Sequence, residues 1–418
     1  MATLDIRRTT LSNGIVVLVS ENHTNPSVVL RMSVRAAPIL DTPEKAGLAS
    51  LTASGLTRGT THRSFEEINE TVDAAGMSLH SGAGRHLVSV GARSLADDLQ
   101  LGIDLVADVL RNPTFPKREF EQLKGQTLTS LRQADNDTGA VADRHFRELL
   151  YPEGHPYRLR NTGYQETVAP LTRDDLESFH AERYSSRGAF CVVVGDVIAE
   201  DVVRRLEESL GGWEASGVAE AQVETPVRPT PSHKDVVVPG KTQADLVLGA
   251  VSIRRKDPDF QALRMANMIL GRLGMMGRLG ETVREEKGLA YGVHSELDAG
   301  IGAGPWAVRA GVNPANVEAA LAGIRDEMQR LREGGVTPQE LDRGKSYSTG
   351  SLVLHLETND GVAGLIQDIE LFDLGLDYAD RYVGIIEALT LEDVNRVAAK
   401  HIPRFEDTVR VVAGPARG

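Results

Sequence analysis

The chain of 418 residues contains a single cysteine, Cys191. An internal disulfide is therefore excluded, and a cysteine inside the apolar run A-F-C-V-V-V fits a small buried side chain better than a nucleophile. The sequence also lacks any stretch approaching the roughly 18 apolar residues that a membrane span requires, and its first residues contain no apolar core of a signal peptide. We therefore expect a cytoplasmic protein that does not enter membranes.

Positive charge is scarce. Lys and Arg number 46 against 59 Asp and Glu, which gives a net charge of -13, and no run is rich in Lys or Arg. Binding to nucleic acid requires a basic face that neutralises phosphates, so this function class is excluded.

The usual catalytic motifs are missing as well. The sequence contains no G-x-S-x-G or S-x-x-K nucleophile motif, and its eleven histidines form no H-x-x-x-H, H-x-x-E-H or H-E-x-x-H zinc pattern. Gly240-Lys241-Thr242 resembles the end of a phosphate-binding loop, but Asp235 stands where its first glycine is needed. We therefore expect neither covalent catalysis nor a bound metal in this chain.

What the sequence does contain is a duplicated pattern of strands and long helices. Three motifs recur in order: Glu119 with Lys124 and Glu340 with Lys345, Leu171-Thr172 and Leu389-Thr390, and the strand ends Gly195 and Gly414. Their offsets are 340 - 119 = 221, 390 - 172 = 218 and 414 - 195 = 219. The pattern predicts an α+β fold with two homologous domains, residues 1–212 and 234–418, joined by a linker at 213–233.

The stretch Glu281–Ser295, E-T-V-R-E-E-K-G-L-A-Y-G-V-H-S, is the segment whose side chains best fit chemistry. It predicts a helix that ends at Gly288 and a strand that starts at Tyr291. The Arg284 guanidinium and the Tyr291 hydroxyl could then point at one volume, as two donors to an oxyanion must. The residues alone also allow a second interpretation, in which the arginine complements the helix dipole and the tyrosine only packs.

The segment R-E-E-K-G-L-A-Y at 284–291, preceded by the glycine-rich G-R-L-G-M-M-G-R-L, resembles the signature of the zinc peptidase superfamily of pitrilysin and mitochondrial processing peptidase. The segments T-L-S-N-G-I-V-V and A-G-L-A-S-L-T-A-S-G-L-T-R-G-T fit the small two-domain bacterial type, so the resemblance covers nearly the whole chain. It implies two domains, each a mostly antiparallel sheet covered by long helices, that close around a peptide. It also implies catalytic roles for Arg284 and Tyr291 and substrate contacts at Gly274 and Gly277.

One departure from this family decides the functional hypothesis. Its H-x-x-E-H motif falls where this chain has Ser50 and Ser54 in place of the two histidines and Ala53 in place of the glutamate base. The position of the remaining glutamate ligand maps to Thr129–Leu131, where no carboxylate occurs. Two hydroxyls cannot replace the strongly donating ligands that Zn²⁺ needs, so this half cannot activate water.

The resemblance then implies a zinc-free subunit of a heteromeric metallopeptidase. A homologous partner would carry H-x-x-E-H and the zinc, and this chain would supply Arg284 and Tyr291 to the oxyanion of a peptide substrate. Alone, the chain would have no peptidase activity and no cofactor, and it could form a homodimer. Two alternatives stay open: a non-catalytic structural or scaffold subunit of the same fold, and a stand-alone hydrolase with an unrecognised site.

Overall fold

The computed structural model describes residues 4–214, 223–227 and 229–416. The strands are β1 Arg7–Thr10, β2 Val16–Glu21, β3 Ser27–Val34, β4 Ser78–Ala83, β5 Val88–Leu95, β6 Phe190–Gly195, β7 Ser232–Val237, β8 Ala244–Val251, β9 Ala290–Leu297, β10 Pro305–Val312 and β11 Val409–Gly414. The helices are α1 Leu48–Gly55, α2 Phe65–Ala74, α3 Leu99–Arg111, α4 Lys117–Asp135, α5 Thr138–Leu150, α6 Gln165–Val168, α7 Arg173–Arg183, α8 Ala199–Leu210, α9 Phe260–Gly271, α10 Leu273–Leu279, α11 Val317–Gly334, α12 Pro338–His355, α13 Asn359–Phe372, α14 Tyr378–Glu387 and α15 Leu391–His401. No helix in the described ranges is both long and apolar enough to cross a bilayer.

The chain forms two compact units, each assembled from separate segments. Unit 1 comprises residues 1–131, 160–221 and 353–380, and unit 2 comprises residues 132–159, 222–352 and 381–418. The predicted bounds 1–212 and 234–418 follow the sequence repeat rather than these units, and they stay a prediction. The predicted linker, 213–233, lies partly outside the described residues.

The sheet of unit 1 has six strands in the order β1-β2-β6-β3-β5-β4. All neighbours are antiparallel except β2 and β6, which are parallel. Its β6 strand, F-C-V-V-V-G, is buried along its whole length, as expected for an apolar strand covered on both faces. Burial raises the pKa of the Cys191 thiol to about 12, so the thiolate needed for nucleophilic chemistry does not form near neutrality.

Helices cover both faces of this sheet. The larger core lies on the face covered by α1 and α3, where Leu30, Met32 and Val90 are buried. On the other face, α13 packs Val362 and Ile366 against strands β3 and β6. Each buried aliphatic side chain of this kind contributes about 1.5–3 kcal/mol.

The sheet of unit 2 has five strands in the order β7-β11-β8-β10-β9, and only β7 and β11 are parallel. Helix α5 packs on β8 and β11, and α9 packs on β9. The predicted α+β class, with mostly antiparallel sheets covered by long helices, is confirmed.

The helix starts reproduce the sequence repeat in atomic detail. A capping box is present at Ser64 and Glu67, because the Glu67 backbone N–H donates to the Ser64 hydroxyl and the Ser64 N–H donates to the Glu67 carboxylate. Thr172 and Thr390, which the repeat pairs, each cap a helix in the same way.

The two lysines of the repeat also occupy equivalent positions. Lys124 Nζ donates to the Leu171 carbonyl at 2.8 Å, and Lys345 Nζ donates to the Glu387 carbonyl at 2.7 Å. In each half, a lysine on a long helix therefore satisfies a carbonyl in the turn before the capped helix.

Candidate functional site

Arg284 lies on a π-helical segment, Gly280–Glu286, rather than on the α-helix that the sequence predicts. The Lys287 N–H donates to the Thr282 carbonyl, five residues earlier, at 3.2 Å. Gly288 ends the segment with φ 61°, so the predicted glycine stop is present. The wider winding is rare, and it occurs frequently at functional sites.

Two contacts with α11 hold this segment. The Thr282 hydroxyl donates to Glu327 Oε1 at 2.9 Å, and the Glu327 carboxylate is buried. Four residues earlier on α11, a Cβ on Gly323 would lie 3.3 Å from Val283 Cγ2, so the glycine permits close approach. These contacts fix the two residues directly before Arg284, whose own side chain is 31% exposed and pairs with Glu285 at 3.2 Å.

Tyr291 is the extra residue of a β-bulge on the edge strand β9. The pairing with β10 passes from Val312 opposite Ala290 to Gly311 opposite Gly292, which leaves Tyr291 without a partner residue. Its side chain is 64% exposed. Packing does not explain this ring, because most of it is exposed. A bulge changes the direction of the side chain of its extra residue, and bulges are common beside active sites.

The glycine-rich loop within α10 contains residues that are not helical. Gly274 has φ 63° and ψ -126°, Met276 has φ 75°, and Gly277 has φ 61° and ψ -157°. A Cβ on Gly277 would lie 2.5 Å from the Ile269 carbonyl oxygen, whereas one on Gly274 would meet nothing within 4 Å. The loop approaches the edge strand β9 through Met276, whose Sδ accepts a hydrogen bond from the Val293 N–H at 3.5 Å.

The three positions that the sequence analysis assigns to an altered zinc motif lie on α1 in unit 1. The Ser50 hydroxyl donates to the Asn161 carbonyl at 2.6 Å, Ala53 is fully buried, and Ser54 is half-buried. The loop that carries Asn161 packs closely on the start of α1, because a Cβ on Gly163 would lie 2.1 Å from the Ala46 carbonyl oxygen.

The residues on α1 do not fit a zinc ion. Ser50 uses its hydrogen in a local bond, Ala53 offers no base, and the third predicted position, on α4, has Thr129, whose hydroxyl donates within its own helix. These side chains provide neither imidazole nor carboxylate, which are the donors that Zn²⁺ requires. No step of zinc chemistry is therefore assigned to this chain.

The carboxylate of Asp41 caps the start of α1. Asp41 accepts hydrogen bonds from the Gly47 and Ala49 N–H groups at 2.8 and 3.0 Å. Burial raises its pKa to about 7, against the opposing effect of these two donors. The carboxyl group consequently titrates near neutral pH.

The described residues contain one cluster with the spacing of metal ligands, Asp257, Asp259 and His401 in unit 2. Asp259 already accepts from His401 and Lys400, each at 2.8 Å, and Arg396 lies 3.4 Å away. Hydrogen bonds from Lys400 and His401 hold the Asp259 pKa at about 2. Cationic neighbours oppose a divalent ion, so this cluster is an ion-pair network.

Comparison with known proteins places this architecture in a family. A model described as Insulinase (Peptidase family M16) matches residues 16–158, and one described as Peptidase M16 inactive domain matches residues 170–347. Together they cover more than half of the chain. The chain belongs to peptidase family M16. The predicted resemblance to the zinc peptidases of this superfamily is confirmed.

Relatives of this M16 chain carry different descriptions. An uncharacterized zinc protease of Streptomyces coelicolor is 28% identical over 404 residues, covering 94% of this chain and 86% of the relative. A protein of Helicobacter pylori described as a non-peptidase homolog is 23% identical over 406 residues, covering 96% and 92%.

Solved structures share the fold over almost the whole chain. A peptidase M16 inactive domain from Pseudomonas fluorescens superposes with a TM-score of 0.93 at 27% identity, covering 99% of each chain. A protease from Helicobacter pylori gives a TM-score of 0.89 at 21% identity, covering 99% of this chain and 100% of that one.

The sequence did not predict three features of the candidate site: the π-helical winding, the bulge at Tyr291 and the contact with Glu327. It also did not reveal that Ala53 and Asn267 occupy equivalent positions in the repeat. Ser81 Oγ donates to the Ala53 carbonyl and Ser295 Oγ donates to the Asn267 carbonyl, and both residues of the first pair precede their counterparts by 214 positions. Only the internal repeat, followed down to single residues, could have identified it.

Proposed function

We propose that this M16 chain is the zinc-free subunit of a heteromeric metallopeptidase. It binds an extended peptide and supplies Arg284 and Tyr291 as hydrogen-bond donors to the oxyanion that develops at the scissile carbonyl. A homologous partner subunit carries H-x-x-E-H and the zinc. Zinc bound there lowers the pKa of its water to about 7.

One observation carries the proposal: an exposed tyrosine is the bulged residue of an edge strand, directly after a π-helical segment that bears an arginine. A packing role would predict a buried ring in regular pairing. Both departures from regular structure cost free energy, which is expected where side chains must be aimed at a ligand.

The local contacts of Ser50 and Ala53 on α1 support a peptidase in which one chain binds zinc and the other supplies the oxyanion donors. The Ser50 hydroxyl bonds to the Asn161 carbonyl at 2.6 Å, and Ala53 packs in the core. Neither side chain offers a zinc ligand, so we expect hydrolysis to need a second chain.

The glycine-rich loop fits the role of a substrate contact. Met276 Sδ is a weak acceptor for the Val293 N–H on the edge strand, and a peptide carbonyl is a stronger one. A peptide carbonyl that replaces the Met276 thioether as the acceptor for the Val293 N–H would place the peptide backbone along the edge strand, next to Tyr291. Gly274 and Gly277, with their positive φ, give the loop the conformations this approach needs.

The description of one relative as a non-peptidase homolog favours a second candidate function, a structural subunit without any catalytic role. The two functions differ in what Arg284 and Tyr291 do. A scaffold would tolerate their replacement, whereas an oxyanion site would not.

The test reconstitutes the chain with an H-x-x-E-H homologue and follows cleavage of a quenched fluorescent peptide. We expect turnover only when both subunits are present. Removal of one donor, in Arg284→Ala or Tyr291→Phe, should lower kcat by about 10² to 10³, since oxyanion donors typically contribute that much.

Matched controls lie on α12, where Arg343 and Tyr347 are exposed. Arg343→Ala and Tyr347→Phe should leave turnover unchanged. If Arg284→Ala and Tyr291→Phe also leave turnover unchanged in an intact complex, the chain is a scaffold. Metal analysis of the isolated chain should find no stoichiometric zinc, and tight zinc there would overturn the proposal.

The cytoplasmic location, the absence of nucleic-acid binding and a homodimer of the isolated chain remain predictions from the sequence. Cell fractionation tests the first, and light scattering of the purified chain tests the last.

A further inference from the structure

A cavity of about 440 Å³ in unit 2 lies between α11 and the turn that precedes β11. Three arginines line it: Arg325 and Arg332 from α11, and Arg404 from the turn. The volume is in the range of small-molecule sites. None of these residues belongs to the peptidase site described above.

Arg332 and Arg404 both line this cavity. Burial lowers the pKa of Arg332, and the positive charge of Arg404 lowers it further, only partly offset by nearby carboxylates. Arg332 donates to the Ile402 carbonyl, but neither arginine forms an ion pair with any residue that the structure describes. Two guanidinium groups that line one cavity repel each other. A bound anion would remove this unfavourable electrostatic free energy.

The fold itself does not require Arg404. The repeat offset of 219 residues between the strand ends Gly195 and Gly414 maps Arg404 to Ser185, since 404 - 219 = 185, and Phe405 to Ser186. There the Ser186 hydroxyl donates to the Asn13 carbonyl at 3.0 Å, and the turn forms without an arginine at the position of Arg404. Arg404 is therefore specific to the C-terminal half.

Two glutamates also line the cavity and limit what can bind. Glu333 already accepts hydrogen bonds from the Gln329 amide at 3.1 and 3.2 Å, whereas Glu406 lies on the turn beside Arg404. They repel an anion that fills the cavity uniformly, and they can accept hydrogen bonds from hydroxyl groups. A ligand with one compact anionic group and a hydroxylated remainder suits this arrangement.

We propose that this cavity binds a phosphate group between Arg332 and Arg404. Guanidinium groups present planar pairs of N–H donors that match phosphate oxygens, and a dianion neutralises both charges. The cavity has room for more than inorganic phosphate, so a phosphate monoester of a hydroxylated small molecule is the expected ligand. The site is independent of the proposed peptidase role.

The test measures binding of inorganic phosphate and of ribose 5-phosphate to the full chain by isothermal titration calorimetry, at constant ionic strength set with chloride. We expect saturable binding with one site per chain, tighter for the ester. Arg404→Ala should weaken binding about 10- to 100-fold, as loss of a hydrogen bond to a charged group does. Glu406→Gln should strengthen binding, because it removes a repelling charge.

Arg343→Ala, on the exposed surface of α12, is the matched control and should bind as the wild type does. Circular dichroism establishes that each variant is folded. The proposal is overturned if neither phosphate nor the ester saturates a site, or if Arg404→Ala binds as tightly as Arg343→Ala. Tighter binding of inorganic phosphate than of the ester would keep the site and identify free phosphate as its ligand.

Discussion

The hydroxyl of Thr282 donates a hydrogen bond of 2.9 Å to the buried carboxylate of Glu327, and so ties the π-helical segment to α11. The guanidinium of Arg330 lies 2.9 Å from the other carboxylate oxygen. Since Arg284 follows Thr282 by two residues, this bond supports the segment close to the candidate oxyanion donor.

Replacing Thr282 by valine removes that donor and keeps the side-chain shape. We expect Thr282→Val to lower the free energy of unfolding of unit 2 by about 1–3 kcal/mol, because a buried carboxylate loses a partner. Urea unfolding followed by the fluorescence of Trp306 measures this in a Trp213→Phe background, since the two tryptophans lie in different units. Thr282→Ser keeps the hydroxyl, so its free energy of unfolding should fall less than that of Thr282→Val. An equal fall in both variants would show that the hydrogen bond does not contribute to stability.

The ion pair between Arg278 and Glu340 predicts a loss of stability in acid. Arg278 is buried and donates two hydrogen bonds of 2.6 Å to Glu340, whose pKa is lowered to about 2 despite partial burial. The unfolded carboxyl has a pKa of about 4.3, so the pair stabilises the fold fully above that pH and loses its effect as the pH falls towards 2. At pH 7, Glu340→Gln should cost up to about 3 kcal/mol, the low end for buried pairs because Glu340 keeps 24% exposure.

The check is the difference in unfolding free energy between wild type and Glu340→Gln, measured from pH 6 to pH 2. It should shrink steadily below about pH 4. A difference that stays constant over this range would mean that Arg278 does not lower the pKa of Glu340 below its value in the unfolded chain.

Asp41 should give the opposite pH dependence. Its pKa is about 7 in the folded chain, so between about pH 4 and pH 7 the native state holds a proton that the unfolded state has released. The unfolding free energy of the wild type should therefore fall, relative to Asp41→Asn, as the pH rises through this window, and level off above it. A flat profile across this window would show that the Gly47 and Ala49 donors outweigh burial and hold the carboxylate ionised.

The two glycines of the loop should respond differently to alanine. Gly277→Ala places a Cβ 2.5 Å from a backbone oxygen in a conformation almost restricted to glycine, and should cost at least about 3 kcal/mol. Gly274→Ala meets no atom within 4 Å and should cost about 1–3 kcal/mol for its backbone conformation alone. Trp306 fluorescence during urea unfolding compares them, and equal costs would contradict the close approach at Gly277.

Much of the fold follows from local patterns. The run S-V-V-L-R-M-S-V, rich in β-branched residues, forms the strand Ser27–Val34, and the serine and glutamate spaced three residues apart at Ser64 and Glu67 form a capping box. The segment around Arg284 was predicted less well, because a π-helix has the same local residue preferences as an α-helix. The segment also contacts Glu327, which lies more than forty residues further along the chain and which no local pattern pairs with Thr282.

The sequence by itself determined the family, the duplication and the missing imidazole and carboxylate ligands, because these depend on which side chains occur and in what order. The tertiary structure alone decided that Tyr291 occupies a bulge and that Glu327 contacts the π-helical segment of Arg284. It also decided that Arg332 and Arg404 line the same cavity. Each of these relationships joins residues from different elements. Their energies come from burial and distance, which exist only once the chain has folded.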